Sequence, residues 1–479
     1  MSSKAPTNTL ASAIHFGTDG WRSIIGFDFT FDRVRQVAGA IAAYMKDHGT
    51  ASRGLLIGYD PRFLSEKFAD AVARVVQKEG IGCLITPSDV PTPVIAYAVK
   101  ARQTGGAVMI TASHNPAEYS GIKFIPEYAG PASPEITAHM EATLKKLGND
   151  VPASSDDPVP TFDPYEEYQK QIRKLVDFDV IGKSHPRVAY DALHGAGRSY
   201  LPRLLKESGC EAEILHENRD VLFGGRMPNP VASNLAELAD RVKATRASLG
   251  LATDGDADRF GVLDSQGRYY GANQLIPVLL DYLVTSRGLK GSVVRSLATT
   301  QMMDAVAKHH GLTVHETPVG FKYIADWMMK EDVLIGGEES GGLSILGHIP
   351  EKDGLLANLL TVEMVARTGR PLDKLYQELQ SKVGPFAQYV EALHLTPGQQ
   401  KLFVDRLKTQ PPQHIGKSQV TKIFTLDGVK LCLGDSAWVL ARPSGTEPLI
   451  RLYAEAPTAD DAQALVTDLK HQILPGYGA

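Results

Sequence analysis

Short apolar runs that stop abruptly at glycine, aspartate or serine recur along the chain, and each adjoins a longer stretch with helical periodicity. GLLIGYD (54–60), GGAVMITAS (105–113), RVAYDALHG (187–195), SLGLATDGD (248–256), GSVVRSLAT (291–299) and DVLIGGEES (332–340) share this grammar, with amphipathic stretches such as LIPVLLDYLVTSR beside them. Runs this short and this apolar suit strands covered on both faces, so the pattern predicts repeated β-α units and parallel, doubly covered sheets. Ligands of such sheets bind beyond the carboxyl ends of the strands, where Ser113, Asp254 and Glu338 all fall.

The C-terminal part follows another pattern. KIFTLDGVKLCLG sets a DG hairpin signal between two apolar runs, WVLARPSGTEPLIRLYAEA reads as two strands around a polar turn, and ADDAQALVTDLKHQIL reads as a closing helix. At 479 residues the chain exceeds what one hydrophobic core fills, roughly 250–300 residues. The expected fold is therefore α/β in four domains: residues 1–160, 161–268 and 269–380 as three related α/β domains with mixed or parallel sheets, and 381–479 as a smaller α+β domain. Linkers are expected near 151–164, at SQGR (265–268) and at SKVGPF (381–386).

Composition narrows the function classes. The net charge of -5 comes without a strongly basic block, which argues against a nucleic-acid partner. The three cysteines, at 83, 210 and 432, are too far apart for zinc pairs and odd in number, as fits a reducing compartment. The segment MSSKAPTNTLASAIHFG lacks the apolar core of a signal peptide, and no run approaches the ~18 apolar residues of a membrane span. A cytoplasmic protein without a membrane partner is expected.

Four loops carry chemistry. In DGDADR (254–259), Asp254, Asp256 and Asp258 alternate, and an extended strand would turn all three to one side, where hard carboxylate oxygens suit magnesium. An EF-hand would need glycine and glutamate where Arg259 and Ser265 stand. A solvated acidic turn remains the bland alternative. A phosphatase with Asp254 as nucleophile lacks its usual hydroxyl four places on, where Asp258 stands. In TASHNP (111–116), Ser113 by itself reads as a turn or capping serine. A phosphate on it would need a metal, donors around its oxygens and a group to move a proton, and His114 and Lys123 lie close in sequence. RPSGTEP (442–448) offers a guanidinium, two hydroxyls and a glycine for a phosphate clamp, or is a tight hairpin turn. GGEESGG (336–342) places Glu338 and Ser340 in a glycine-rich loop suited to sugar hydroxyls, or is an exposed acidic turn.

Together these loops resemble the α-D-phosphohexomutases, the phosphoglucomutase and phosphomannomutase family. FGTDGWR (16–22), TASHNP, GIK (121–123), DALHGAG (191–197), DGDADR, GEESGG (337–342) and RPSGTEP occur in the family's order across essentially the whole chain. The resemblance implies four domains around a central cleft, each giving one loop to the site. It implies Ser113 as the phosphoserine, with Asp254, Asp256, Asp258 and a phosphoserine oxygen holding Mg2+. Arg22, Lys123 and Arg259 match the basic residues around the transferring phosphate, and His114 joins Lys123 as a candidate for proton movement. Glu338, Ser340 and Gly320 match sugar contacts, with Lys322 a weaker candidate. Arg442, Ser444, Gly445 and Thr446 match the clamp for the phosphate that is not transferred.

The implied reaction is a relay. Phospho-Ser113 donates to a hexose monophosphate, the bound hexose 1,6-bisphosphate reorients, and its other phosphate returns to Ser113. GEESGG resembles glucose-directed members, and Gly342 stands where mannose- and glucosamine-directed types carry histidine, so glucose 1-phosphate and glucose 6-phosphate are the expected pair, with mannose phosphates second. Glucose 1,6-bisphosphate is expected as intermediate and activator, and the protein as a monomer or weak homo-oligomer. A glucose-1,6-bisphosphate synthase would use the same residues. A non-catalytic sugar-phosphate binding protein would predict loss of Ser113 or the aspartates, and all are present.

Overall fold

The computed structural model describes residues 13–17, 19–434, 436–443 and 449–474. Three of its sheets share one plan. In the first, the parallel strands Cys83–Ile85, Leu55–Tyr59 and Gly106–Ile110 are followed by Tyr119–Pro126, antiparallel to the last of them, and by Trp21–Ile24 at the edge. In the second, Glu211–Leu215, Arg187–Asp191 and Leu249–Thr253 are parallel, and Phe260–Asp264 and Tyr269–Tyr270 close the sheet antiparallel. In the third, Val314–Thr317, Ser292–Ser296 and Val333–Gly337 are parallel and Leu343–Ile345 is antiparallel.

The sheets are thus mixed, where the apolar runs alone predict parallel ones. The reason is the length of three connections. Residues 111–118, 254–259 and 338–342 each link the last parallel strand to the next, and each is shorter than the dozen or so residues a parallel crossover requires. The chain must therefore return antiparallel, and the three returns are the loops that hold Ser113, the aspartates and Glu338. SQGR, expected as a linker, is the turn of the hairpin that joins Phe260–Asp264 to Tyr269–Tyr270.

Alternation along the strands shows why both faces are covered. Leu55, Ile57, Val108 and Ile110 enter one core with the helices Phe31–Asp47 and Ser65–Lys78, while Leu56, Ala107 and Met109 enter another with Thr92–Arg102. That second core runs on through the helix Gly354–Thr368, whose residues 354–364 are all buried, and so fuses the first three sheets into one body. The C-terminal sheet is antiparallel throughout, in the order Ala387–His394, Leu449–Ala456, Trp438–Pro443, Val429–Cys432, Lys422–Phe424, with its own core against the helices Pro397–Thr409 and Ala459–Ile473. The DG signal and the closing helix fall where the sequence puts them.

Candidate active site

The loop after Gly106–Ile110 bends sharply enough that Ser113 takes a left-handed backbone, φ 50°, which is costly for a residue with a side chain. A buried arginine holds it there. Arg62 donates to the carbonyls of Ser113, Asn115 and Pro116 at 2.7 Å and of Tyr119 at 3.0 Å, and to Asp60 Oδ2 at 3.1 Å. All five guanidinium N–H groups are thereby engaged. Asp60 also accepts the Thr111 hydroxyl at 2.7 Å, and Thr111 Oγ1 accepts the Ser113 amide at 2.8 Å. Burial pushes the Asp60 carboxyl up to about 6 against the pull of Arg62.

The DGDADR segment meets this loop backbone to backbone. A Cβ on Gly255 would lie 2.4 Å from the Ser113 carbonyl oxygen, so only glycine permits the approach. The aspartates do converge, although not by strand periodicity: residues 254–259 form a turn, with Ala257 at φ 57°. One oxygen from each of Asp254, Asp256 and Asp258 lies within 4.8 Å of the others, and all three residues are buried. The Ser113 hydroxyl donates to Asp254 Oδ2 at 2.7 Å and lies 3.3 Å from His114 Nδ1.

Two ammonium groups share the same negative field. Lys123 Nζ lies 2.8 Å from Asp19 Oδ2, 2.9 Å from Asp256 Oδ2 and 2.8 Å from Asp258 Oδ2. Lys352 Nζ lies 3.0 Å from Asp19 and 3.2 Å from Asp258. Burial works against the Lys123 charge, but these carboxylates outweigh it and hold the ammonium well above its usual range. Burial, with Asp256 and Asp258 adding repulsion, drives Asp254 well above the carboxylate range. Burial would raise Asp256 too, yet Lys123 and the Thr92 hydroxyl hold it low.

The trio fits a divalent cation. Asp256 Oδ1 and Asp258 Oδ1 are buried and have no hydrogen-bond partner among the described residues, an expensive arrangement for carboxylate oxygens unless an ion takes them. An all-oxygen set of this kind matches Mg2+.

Of the remaining expected residues, Arg22, His114 and Arg259 adjoin this centre. Arg22 donates to Asn115 Oδ1 at 2.9 Å, and the Arg259 amide donates to Asp254 Oδ1 at 3.1 Å. Burial, reinforced by Arg259 and Arg22, holds the His114 imidazole well below its usual value. Glu338 is buried and accepts the Gly320 amide at 2.7 Å, joining two of the proposed sugar loops; burial, then Glu339, pushes its carboxyl up to about 7. Ser340 is half-buried in the same loop. Lys322 is half-buried, with burial lowering its pKa. Arg442 Nε donates to Asp427 Oδ2 at 2.7 Å, and the same oxygen accepts the Val319 amide at 3.1 Å, beside Gly320. Ser444, Gly445 and Thr446 lie outside the described residues.

Asp19, Arg62 and Lys352 belong to this arrangement and had no role from sequence. Asp19 stands inside FGTDGWR, and Arg62 directly follows the strand-ending YDP, signals that mark position without partner. Lys352 precedes the helix-capping Asp353, which reads as a helix start. Its stem fills the space over Gly342: a Cβ there would lie 2.4 Å from Lys352 Cδ. A side chain at position 342 would need the Lys352 stem to shift.

Comparison with known proteins agrees along the whole length. Family profiles described as phosphoglucomutase/phosphomannomutase match in order: α/β/α domain I at residues 13–150, domain II at 166–267, domain III at 271–383 and the C-terminal domain at 401–472. A phosphoglucomutase/phosphomannomutase of Thermococcus kodakarensis is 31% identical over 94% of this chain and 96% of its own. A phosphoglucosamine/phosphogalactosamine mutase of Sulfurisphaera tokodaii is 31% identical over 95% and 98%. Among solved structures, one provisionally called a phosphomannomutase, from Thermus thermophilus, superposes with a TM-score of 0.85 at 30% identity, covering 97% of this chain and 100% of its own.

Proposed function

The chain belongs to the phosphoglucomutase/phosphomannomutase family, the α-D-phosphohexomutases, and from that premise we propose that it interconverts glucose 1-phosphate and glucose 6-phosphate, with mannose phosphates as a second pair. The observation that carries the reading is Ser113 Oγ at 2.7 Å from Asp254, beside two more buried aspartates with bare oxygens. Asp254, Asp256, Asp258 and an oxygen on Ser113 would hold Mg2+, which supplies charge neutralisation for the phosphoryl group when bound.

Each step belongs to the chain's own groups. Phospho-Ser113 loses its phosphoryl group as the seryl P–O bond breaks and a new P–O bond forms to the free hydroxyl of a hexose monophosphate. His114, its imidazole kept neutral by burial and 3.3 Å from Ser113 Oγ, would take the proton that this hydroxyl releases and return it to the leaving Ser113 oxygen, while Lys123, held as an ammonium, would steady the charge rather than accept the proton. Arg22, Lys123 and Arg259 surround the transferring charge, as phosphoryl transfer requires. Glu338, Ser340 and Gly320 hold sugar hydroxyls, while Arg442, with Ser444, Gly445 and Thr446, holds the distal phosphate. The bisphosphate turns over, and the second transfer restores phospho-Ser113. Gly342 and the Lys352 stem above it support the glucose-directed reading over the histidine-bearing types.

The test is a Mg2+-dependent assay with glucose 1-phosphate, with and without glucose 1,6-bisphosphate, following glucose 6-phosphate and free bisphosphate separately. Mannose 1-phosphate and glucosamine 1-phosphate run in parallel, because a relative of similar identity is named for hexosamine phosphates. Rapid glucose 6-phosphate formation with little free bisphosphate is expected. Accumulating bisphosphate would make the chain a bisphosphate synthase, and faster turnover of glucosamine 1-phosphate would overturn the glucose assignment.

A further inference from the structure

We propose that Thr92 is a positioning residue of the cation site: it holds Asp256 by one carboxylate oxygen so that the other stays bare for a divalent ion. The inference rests on the reading of Asp254, Asp256 and Asp258 as ligands and adds a residue that touches neither ion nor substrate.

Thr92 is fully buried at the first turn of the helix Thr92–Arg102. Its hydroxyl donates to Asp256 Oδ2 at 2.6 Å, and its amide donates to the Asp256 carbonyl at 2.9 Å. Lys123 donates to the same Oδ2 at 2.9 Å. Both side-chain donors therefore converge on one oxygen, and Oδ1 is the one buried without a partner among the described residues. A carboxylate free to rotate would spread its donors over both oxygens and lose a ligand atom. Fixing it at Oδ2 orients the first ligand sphere in the way outer hydrogen bonds do in metal sites generally.

The contact also sets distance between sheets, because Thr92 starts the helix between two strands of the first sheet, the later of which leads to Ser113, and Asp256 lies in the loop that joins two strands of the second. The DALHGAG motif and the Arg198 that follows it brace the contact. Arg198 pairs with both oxygens of Asp89 at 2.6 Å, three residues before Thr92, and donates to the Gly195 carbonyl at 3.0 Å. The Ala196 amide donates to the Gly255 carbonyl at 2.9 Å, next to Asp256. The motif and Arg198 thus tie the start of the helix to the metal loop.

The experiment measures Mn2+ binding to the full chain by calorimetry and by electron paramagnetic resonance, alongside thermal unfolding in chelator. Thr92→Val keeps the shape and the backbone bond but removes the hydroxyl; Thr92→Ser restores it. The expected result is an affinity for Mn2+ about tenfold or more weaker in the valine variant, near wild type in the serine variant, and metal-free unfolding midpoints that agree. Thr92→Ala carries the same comparison if the valine variant does not fold. Equal Mn2+ affinity in wild type and valine variant, or equal weakening by valine and serine, overturns the role of the hydroxyl. A wild-type chain that binds no Mn2+ overturns the ligand reading itself, and this inference with it.

Discussion

Ser113 combines a strained backbone, a hydroxyl already hydrogen-bonded to Asp254, and a carbonyl gripped by Arg62. The strain is sustained by the buried Arg62 network, so the hydroxyl can be removed without dismantling the loop. Ser113→Ala should abolish mutase turnover by at least about a thousandfold while the unfolding midpoint stays close to wild type; retained turnover would sink the phosphoserine relay. Glu338 yields a pH prediction. Its carboxyl sits at about 7 in the folded chain against an ordinary 4.5, because burial and Glu339 disfavour the charge. The folded state therefore binds more protons, and the contribution to stability is full below the ordinary value and is lost as pH rises through about 7. Between about pH 5 and about pH 8 the melting temperature of wild type should fall relative to Glu338→Gln, and parallel curves would contradict it.

At the scale of elements, the helix Gly354–Thr368 links packing to chemistry. Its cap, Asp353, accepts the Leu356 amide at 2.9 Å, the Tyr168 hydroxyl at 2.7 Å and sits 2.9 Å from His348 Nε2, and the residue before it is Lys352. Asp353→Ala removes the cap and strands two buried polar groups. It should cost about 2–5 kcal/mol, read as a lower denaturant midpoint, and should lower turnover through Lys352; a midpoint unchanged from wild type would refute the cap. The sequence made the strands, the DG hairpin, the closing helix and the loops of Ser113, Asp254 and Glu338 legible, because apolar runs and turn residues are local signals. The mixed sheets are expected from the family resemblance and not from the apolar runs, since antiparallel returns depend on connector length rather than on the character of the runs. The aspartates converge through a turn rather than through the strand that their alternation suggests. Arg62 and Lys352 escaped because their partners lie far off in sequence, Ser113 to Tyr119 for one, Asp19 and Asp258 for the other.

Across the whole molecule, the first three sheets share a continuous core, while the C-terminal sheet keeps its own and docks through a small patch of Trp438, Leu440 and Tyr453 on Leu297 and Ala298. Lys430 reinforces that patch. It is buried, donates to the Leu297 carbonyl at 2.9 Å and to Glu316 at 2.6 Å, and lies 4.4 Å from the Trp438 ring. Arg442, on the same sheet, reaches the loop of Gly320 through Asp427. The proposed distal clamp is thus carried by a unit with a core of its own, as a part that opens to admit the sugar requires. Lys430→Met keeps the stem and loses the charge-assisted bonds. It should raise KM for the hexose phosphate about tenfold, equivalent to about 1.4 kcal/mol of closure, with a smaller change in kcat. Amide exchange around Leu297 and Trp438 should quicken, and the main unfolding midpoint should hold, because the shared core is untouched. An unchanged KM with a lowered midpoint would place Lys430 in the stability of the fold rather than in the closing of the cleft.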